Sequence, residues 1–129
     1  MEKQKIFLRG SVHHAKLGQH DPTKFDLAIK HELGKIRPVV ILTTQKVLDL
    51  VPSIVFVCPL SSQRESTLSA LHEYRFEMEA RDKLKVKSYA VVEHCRAIAV
   101  NRIVKTKLTQ ATEEELEGII TNFKRLIDG

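Results

Sequence analysis

The sequence predicts a mainly β protein ending in one α-helix, a small barrel with that helix docked on it. Three observations carry this expectation. Two short, nearly continuous apolar runs, 38–43 and 54–59, are rich in β-branched residues and read as strands covered on both faces. Such cover needs a closed barrel, a packed helix or a dimer interface. Residues 72–79 alternate, with Tyr74, Phe76 and Met78 on one face and Arg75, Glu77 and Glu79 on the other, as in a half-buried strand. Near the C-terminus the period changes: Leu116, Ile119, Ile120, Phe123 and Ile127 fall on one helical stripe.

Each element can be justified in chain order. Residues 6–17 read as a first strand interrupted at Gly10. Residues 18–34 are polar and punctuated by Asp21-Pro22-Thr23, a long loop with at most one helical turn at 25–29. Loops beyond about 12–15 residues are uncommon in compact domains and often functional. The stretch 45–53 is a loop or a short helical turn between the two apolar strands. Residues 81–87 form a charged connector, expected as a solvated loop or hairpin turn. Residues 88–100 are one long strand, or two with a bend near 93–95. The helix is expected over about 112–127, opened by the capping-box pattern Thr112-Glu113-Glu114-Glu115 with acids at the positive end of its dipole. The total is five to seven strands and the helix.

A chain of 129 residues suits a single domain, 1–129, that buries roughly two-thirds of its unfolded surface. No apolar run approaches the roughly 20 residues of a membrane span, and the N-terminus lacks a signal-peptide core, so a cytoplasmic protein is expected. Cys58 and Cys95 each lie in apolar runs; a disulfide is one reading, and free thiols in a reducing cytosol the favoured one. Neither C-x-x-C nor H-x-x-x-H spacing occurs, so no zinc framework is expected. The formal charge is +5, made of +4 over 1–40, +4 over 41–108 and −3 over 109–129. A basic body suits a polyanion, although many soluble domains are basic for no specific reason.

Chemistry gathers in two blocks at strand edges, where a rigid scaffold can fix reactive groups. They are His31-Glu32-Leu33-Gly34-Lys35-Ile36-Arg37-Pro38 and Cys58-Pro59-Leu60-Ser61-Ser62-Gln63. Taken singly, Arg37 could be a solvated edge charge, Glu32 its ion-pair partner, and Ser61-Ser62 a plain turn. His13 and His14 are adjacent in a strand and point to opposite faces, so they cannot easily share a ligand. His13 sits with Ala15 and Leu17, as a partly buried structural histidine; His14 sits with Lys16.

In this order and spacing, the two blocks resemble the MazF/PemK family of toxin endoribonucleases. Arg9-Gly10 is similar to that family's opening Arg-Gly-Asp strand. The segment Glu93-His94-Cys95-Arg96-Ala97-Ile98 is similar to its Asp-Gln-Val-Arg-Thr-Ile strand, and Leu108 onward to its C-terminal helix. The resemblance spans roughly residues 9–128. It implies a small SH3-like barrel of the CcdB/PemK type and a homodimer. It also implies metal-independent, sequence-selective cleavage of single-stranded RNA (mRNA) by the substrate's own 2′-hydroxyl, with no cofactor. A cognate antitoxin peptide would inhibit by lying across the RNA groove.

The same resemblance assigns roles. Arg37 would stabilise phosphoryl charge through its planar fork, Ser61 would take the place of the catalytic threonine, and Glu32 that of a general base. Lys35, Ser62, Gln63, His14, Arg96 and His94 are the expected substrate contacts, His14 at the place of a frequent tryptophan that could stack on a base. Three departures stand out: Ser61 lacks the methyl that fixes a threonine rotamer, Ser11 replaces the aspartate after Gly10, and the 18–34 loop is several residues longer. The alternative is a non-catalytic toxin or binding module on the same barrel, like the gyrase-poisoning relatives, or an inactivated member.

Overall fold

The computed structural model describes residues 7–18, 36–63 and 69–129. The first strand, β1 (Ser11–Lys16), starts directly after a turn at Gly10, whose φ of +84° is the left-handed region a side chain rarely adopts. A Cβ there would also stand 2.8 Å from Gln110 Nε2 and 2.9 Å from a Leu116 methyl. Phe7 and Leu8 therefore precede the strand instead of belonging to it. Then come β2 (Ile36–Ile41), the short helix α1 (Gln45–Leu48) and β3 (Ile54–Ser61). After a 3₁₀ turn (Ser69–Tyr74) follow β4 (Phe76–Met78) and β5 (Ser88–Ala90). Another 3₁₀ turn (Val92–His94) leads to β6 (Arg96–Ala99), and a third (Val100–Arg102) to β7 (Ile103–Gln110) and α2 (Glu113–Asp128).

Among the described residues the strands run β4-β5-β3-β2-β1-β7, every pairing antiparallel, with β6 on β3 beside β5. Two bulges in the β1–β7 pairing, on either side of His13, sharpen the bend of the sheet. The curl brings the turn between β4 and β5 against β7: Lys83 N–H donates to the Leu108 carbonyl at 3.0 Å, and the Thr109 hydroxyl donates to Asp82 at 2.6 Å. The result is a curled, mostly β half-barrel with a C-terminal helix.

Apolar side chains cover both faces of this sheet, which explains the unbroken runs in β2 and β3. Inside the curl, Val12, Val40, Cys58, Leu60, Met78 and Ala90 pack with Leu116 and Ile119 of α2. On the other face, Val39, Ile41, Val55, Val57 and Ile98 pack with Leu48 of α1. Each such fully buried aliphatic side chain contributes about 1.5–3 kcal/mol relative to exposure.

Helix α2 starts as its sequence dictates. Thr112 accepts from Glu115 N–H at 3.1 Å, and the Glu115 carboxylate accepts from Thr112 N–H at 2.8 Å. Burial alone would raise the Glu115 carboxyl; the Arg81 fork and the Thr112 backbone N–H outweigh it and hold Glu115 below its usual range.

Several expectations are corrected. The strand expected over 72–79 is only β4, because Tyr74 ends a 3₁₀ turn closed by Arg75 N–H donating to the His72 carbonyl. Arg75 is then free of the solvent face shared by Glu77 and Glu79, and is buried. Ile127 leaves the helix stripe and is 66% exposed, while Leu126 packs on the core instead. Leu108 belongs to β7, a strand the sequence reading did not delimit; its central residues 104–107 are all exposed, so no alternation marks them. The bend expected near 93–95 is present as the 3₁₀ turn and its exit. The 18–34 loop lies, except for Gly18, outside the described residues.

Candidate active site

The ladder between β2 and β3 ends at Val39 opposite Pro59. The reason is chemical: the next bonding pair would set Pro38 opposite Leu60, and Pro38 has no N–H to donate. The Pro59 carbonyl faces the other way and accepts from Val91 N–H. Continuing the register past the ladder sets Arg37 opposite Ser61, two positions beyond the last pair. By alternation both lie on the face that carries Val39 and Val57, opposite the one that carries Val40 and Leu60. Arg37 is exposed and also reaches the rim of the groove between the parted strand ends; Ser61 is half-buried. The Ser61 hydroxyl oxygen accepts from Gln63 N–H at 3.1 Å, which fixes its rotamer and leaves its own proton to donate.

The groove has a volume of about 270 Å³. Pro38, Leu60, Leu84 and Leu108 form its apolar floor, and His14, Arg37, Ser62, Lys83 and Lys85 line its edges. His14 is therefore exposed on the groove side. Its neighbour His13 is fully buried, not partly: its Nδ1 lies 2.9 Å from the Val104 carbonyl and its Nε2 3.0 Å from the Ser11 hydroxyl. A carbonyl can only accept, so Nδ1 carries a proton. Burial, against the Val104 and Thr106 carbonyls, lowers the His13 pKa from 6.5. The same contact gives Ser11 a structural task, binding the Leu8 carbonyl at 2.6 Å, where the family pattern has an aspartate.

Other expected contacts divide. Ser62 borders the groove, whereas Gln63 lies exposed just past Ser61. Arg96 follows the β3–β6 register opposite Val57 and donates to the Leu17 carbonyl at 2.8 Å, so its guanidinium braces the end of β1. His94 is half-buried in the 3₁₀ turn before it. Glu32 and Lys35 lie outside the described residues.

The sequence reading missed Arg75. Its guanidinium, with the side chain 7% exposed, donates to Glu93 at 2.9 Å and to the Gln63 carbonyl at 2.9 Å. One side chain thus ties the 61–63 strand end to the segment that carries His94 and Arg96. Arg75 Nε and Glu93 Oε1 are buried without a hydrogen-bond partner among the described residues, so the pair is held by position more than by complete bonding. Beside it, Cys58 and Cys95 are free thiols. Burial first, then the neighbouring Cys95 and Glu93, pushes the Cys58 thiol well above its usual range. Also missed was the 81–87 connector, expected as solvated, which supplies Lys83, Leu84, Lys85 and Val86 to the groove. Its signal was the apolar pair Leu84 and Val86 inside a charged run.

Among the described residues, no group of three or more His, Cys, Asp or Glu side chains could hold a metal ion, and no helix is long and apolar enough to cross a membrane. A family model described as "PemK-like, MazF-like toxin of type II toxin-antitoxin system" matches residues 16–127. The chain belongs to this family.

Solved PemK/MazF structures share the fold at low identity. The Mycobacterium tuberculosis toxin MazF-mt6 superposes with a TM-score of 0.65 at 18% identity, covering 92% of this chain and 96% of that one. A mycobacterial endoribonuclease solved in complex with its cognate antitoxin gives 0.62 at 16%, covering 95% and 93%. MazF in a MazE–MazF structure from Deinococcus radiodurans gives 0.67 at 14%, covering 95% and 96%. No curated protein matches the sequence. Within the PemK/MazF fold, Arg37 and Ser61 stand at the parted ends of the two central strands.

Proposed function

We propose that this chain is a sequence-selective endoribonuclease toxin that cuts single-stranded RNA across Arg37 and Ser61. The observation that carries the proposal is their common face at the parted ends of β2 and β3, beside a groove edged by cations. In the reaction, a ribose 2′-oxygen attacks the adjacent phosphorus in line. The 2′-O–P bond forms, the P–5′-O bond breaks, and the products are a 2′,3′-cyclic phosphate and a 5′-hydroxyl. The 2′-hydroxyl proton leaves to a base, for which Glu32 is the candidate, and the departing 5′-oxygen takes a proton from water. Arg37 neutralises charge on the non-bridging oxygens through two N–H donors, and Ser61 donates its hydroxyl proton to one of them. None of these steps needs a metal.

The mycobacterial relative named an endoribonuclease and bound to its cognate antitoxin supports both the activity and its control by an antitoxin peptide. A homodimer acting in the cytoplasm completes the reading. It is favoured by exposed Leu50, Ile54, Val47 and Val51, an apolar group from the α1–β3 connection.

Incubation with mixed-sequence single-stranded RNA in EDTA tests the reading. Discrete fragments ending in cyclic phosphate are expected. Arg37→Ala and Ser61→Ala each lower the rate by about 10²-fold or more, the scale for losing a transition-state donor. Absence of cleavage by the purified toxin, or full activity of Arg37→Ala, sinks it; loss of cleavage in EDTA removes the metal-free step. RNA binding without cleavage would favour the non-catalytic reading.

A further inference from the structure

The groove between the parted strands and the 81–87 connector is more than an approach to Arg37. We propose that it is a nucleotide subsite in which one base of single-stranded RNA lies on the apolar floor while flanking phosphates sit on Lys83 and Lys85. This rests on the endoribonuclease reading and adds to it a specificity wall on the β4–β5 turn.

Shape and chemistry support one nucleotide. The space, about 270 Å³, falls just below the roughly 300–1,000 Å³ of drug-sized ligand sites. Pro38, Leu60, Leu84 and Leu108 give it an apolar lining of the kind a base face covers, and His14, also in the lining, offers an aromatic ring for stacking. Ser62 also borders it, with a hydroxyl that can donate to or accept from a base edge, whereas the Ser88 hydroxyl is already donated to the Val86 carbonyl at 2.9 Å.

The charge is one-sided. Among the described residues, Arg37, Lys83 and Lys85 line the groove and no carboxylate does. Among the described residues Lys83 and Lys85 form no ion pair, whereas Lys87, one turn on, is bound to Glu77 at 3.2 Å. Asp82, in the same turn, accepts from the Thr109 hydroxyl at 2.6 Å.

The wall is also rigid. Arg81 and Leu84 exchange backbone hydrogen bonds at 2.9 Å across a two-residue turn, in which Asp82 takes a φ of 52°. Lys83 N–H is bonded to β7, and Arg81 binds the Gln110 carbonyl and Glu115 at 3.0 Å each. The lysines are thus presented from a braced turn, as a positioned site requires. Because Arg37 edges the same groove, its occupant is continuous with the phosphate proposed to be cut.

The test uses the full-length protein and a mixed-sequence 2′-O-methyl RNA 12-mer, which has no nucleophilic 2′-hydroxyl and so reports binding alone. The variants are Lys83→Ala/Lys85→Ala, the charge-keeping Lys83→Arg/Lys85→Arg, and Val86→Ser on the wall, with melting temperatures measured to confirm folding. The alanine pair is expected to weaken binding about 10-fold. It should also flatten the plot of log Kd against log salt by about 1.4, the value for two phosphates on a single strand. The arginine pair should bind like the parent, and Val86→Ser should alter the preferred cleavage sequences without changing the salt slope.

Equal affinity and slope in the alanine pair overturn the subsite. If cleavable RNA is still cut by that pair with parental kcat/KM, the subsite falls and the endoribonuclease reading stands. If the parent binds RNA with the expected slope change but never cuts, the subsite stands and the catalytic reading falls. If the alanine pair loses affinity only for an acidic, leucine-rich peptide and not for RNA, the groove seats a peptide inhibitor and the nucleotide proposal is wrong.

Discussion

Ser61 is where a single side chain decides most. It lacks the methyl that would restrict a threonine, yet Gln63 N–H already holds its oxygen at 3.1 Å. Restoring the methyl should therefore add little: Ser61→Thr is expected within about 3-fold of the parental rate, beside the steep loss in Ser61→Ala. A gain of 10-fold or more would show that the backbone contact does not orient the hydroxyl. Arg75 acts at one remove, through the Gln63 carbonyl and Glu93. Truncating one partner of a buried pair typically costs about 3–5 kcal/mol, because the other charge stays buried. Arg75→Met should lower stability on that scale in urea titration, and Arg75→Met/Glu93→Gln should recover much of it. At a temperature where both are folded, both should show reduced kcat with the Ser61 strand end untied; an unchanged kcat would confine Arg75 to stability. His13 gives a pH signature. Folded His13 has a pKa below 6.5, so as the pH falls through about 6.5 the unfolded chain takes up a proton that the native state refuses. Stability contributed by this group is complete above that pH, declines below it, and levels off beneath the folded pKa. The slope of unfolding free energy against pH between 7 and 5 should be shallower in His13→Gln than in the parent; identical slopes would place the titration elsewhere.

The helix and the strand beneath it meet at an element-scale constraint. A Cβ on Gly118 would lie 2.0 Å from Phe76 Cε2 and 2.5 Å from its Cδ2, so α2 and β4 approach through the missing side chain. Helix propensity alone favours Gly118→Ala by about 1 kcal/mol. Overpacking against a ring held in the core costs about 1–3 kcal/mol, so packing should win. Gly118→Ala is expected to melt lower than the parent; a higher melting temperature would mean that Phe76 rotates away freely. Position matters here as well as area. This contact sets how α2 closes over the curl, and the Arg81–Glu115 pair then links the helix to the turn that walls the groove.

On the scale of the whole molecule, the apolar group at the α1–β3 connection points to a second copy. Leu50 is 78% exposed and Ile54 58%, and Val51 holds a φ of 54°, rare for a β-branched residue and costing about 1–3 kcal/mol. Light scattering should give about twice the 14.7 kDa chain mass, and Leu50→Glu/Ile54→Glu should give a monomer. A parent that stays monomeric at tens of micromolar would sink the dimer. The sequence by itself determined what depends on local chemistry and periodicity: the two covered strands, the bend near 93–95, the Thr112 capping box and the helix that follows. It also placed Arg37 and Ser61 at strand ends, because prolines and polar residues mark those ends directly. Only the tertiary structure decided that Arg75 is buried and that the 81–87 turn walls a groove, since both depend on pairings with residues far along the chain. It likewise separated His14 on the groove from His13 in the core. Strand alternation predicts that two neighbours face opposite ways, but only the curl of the sheet decides which face is a groove.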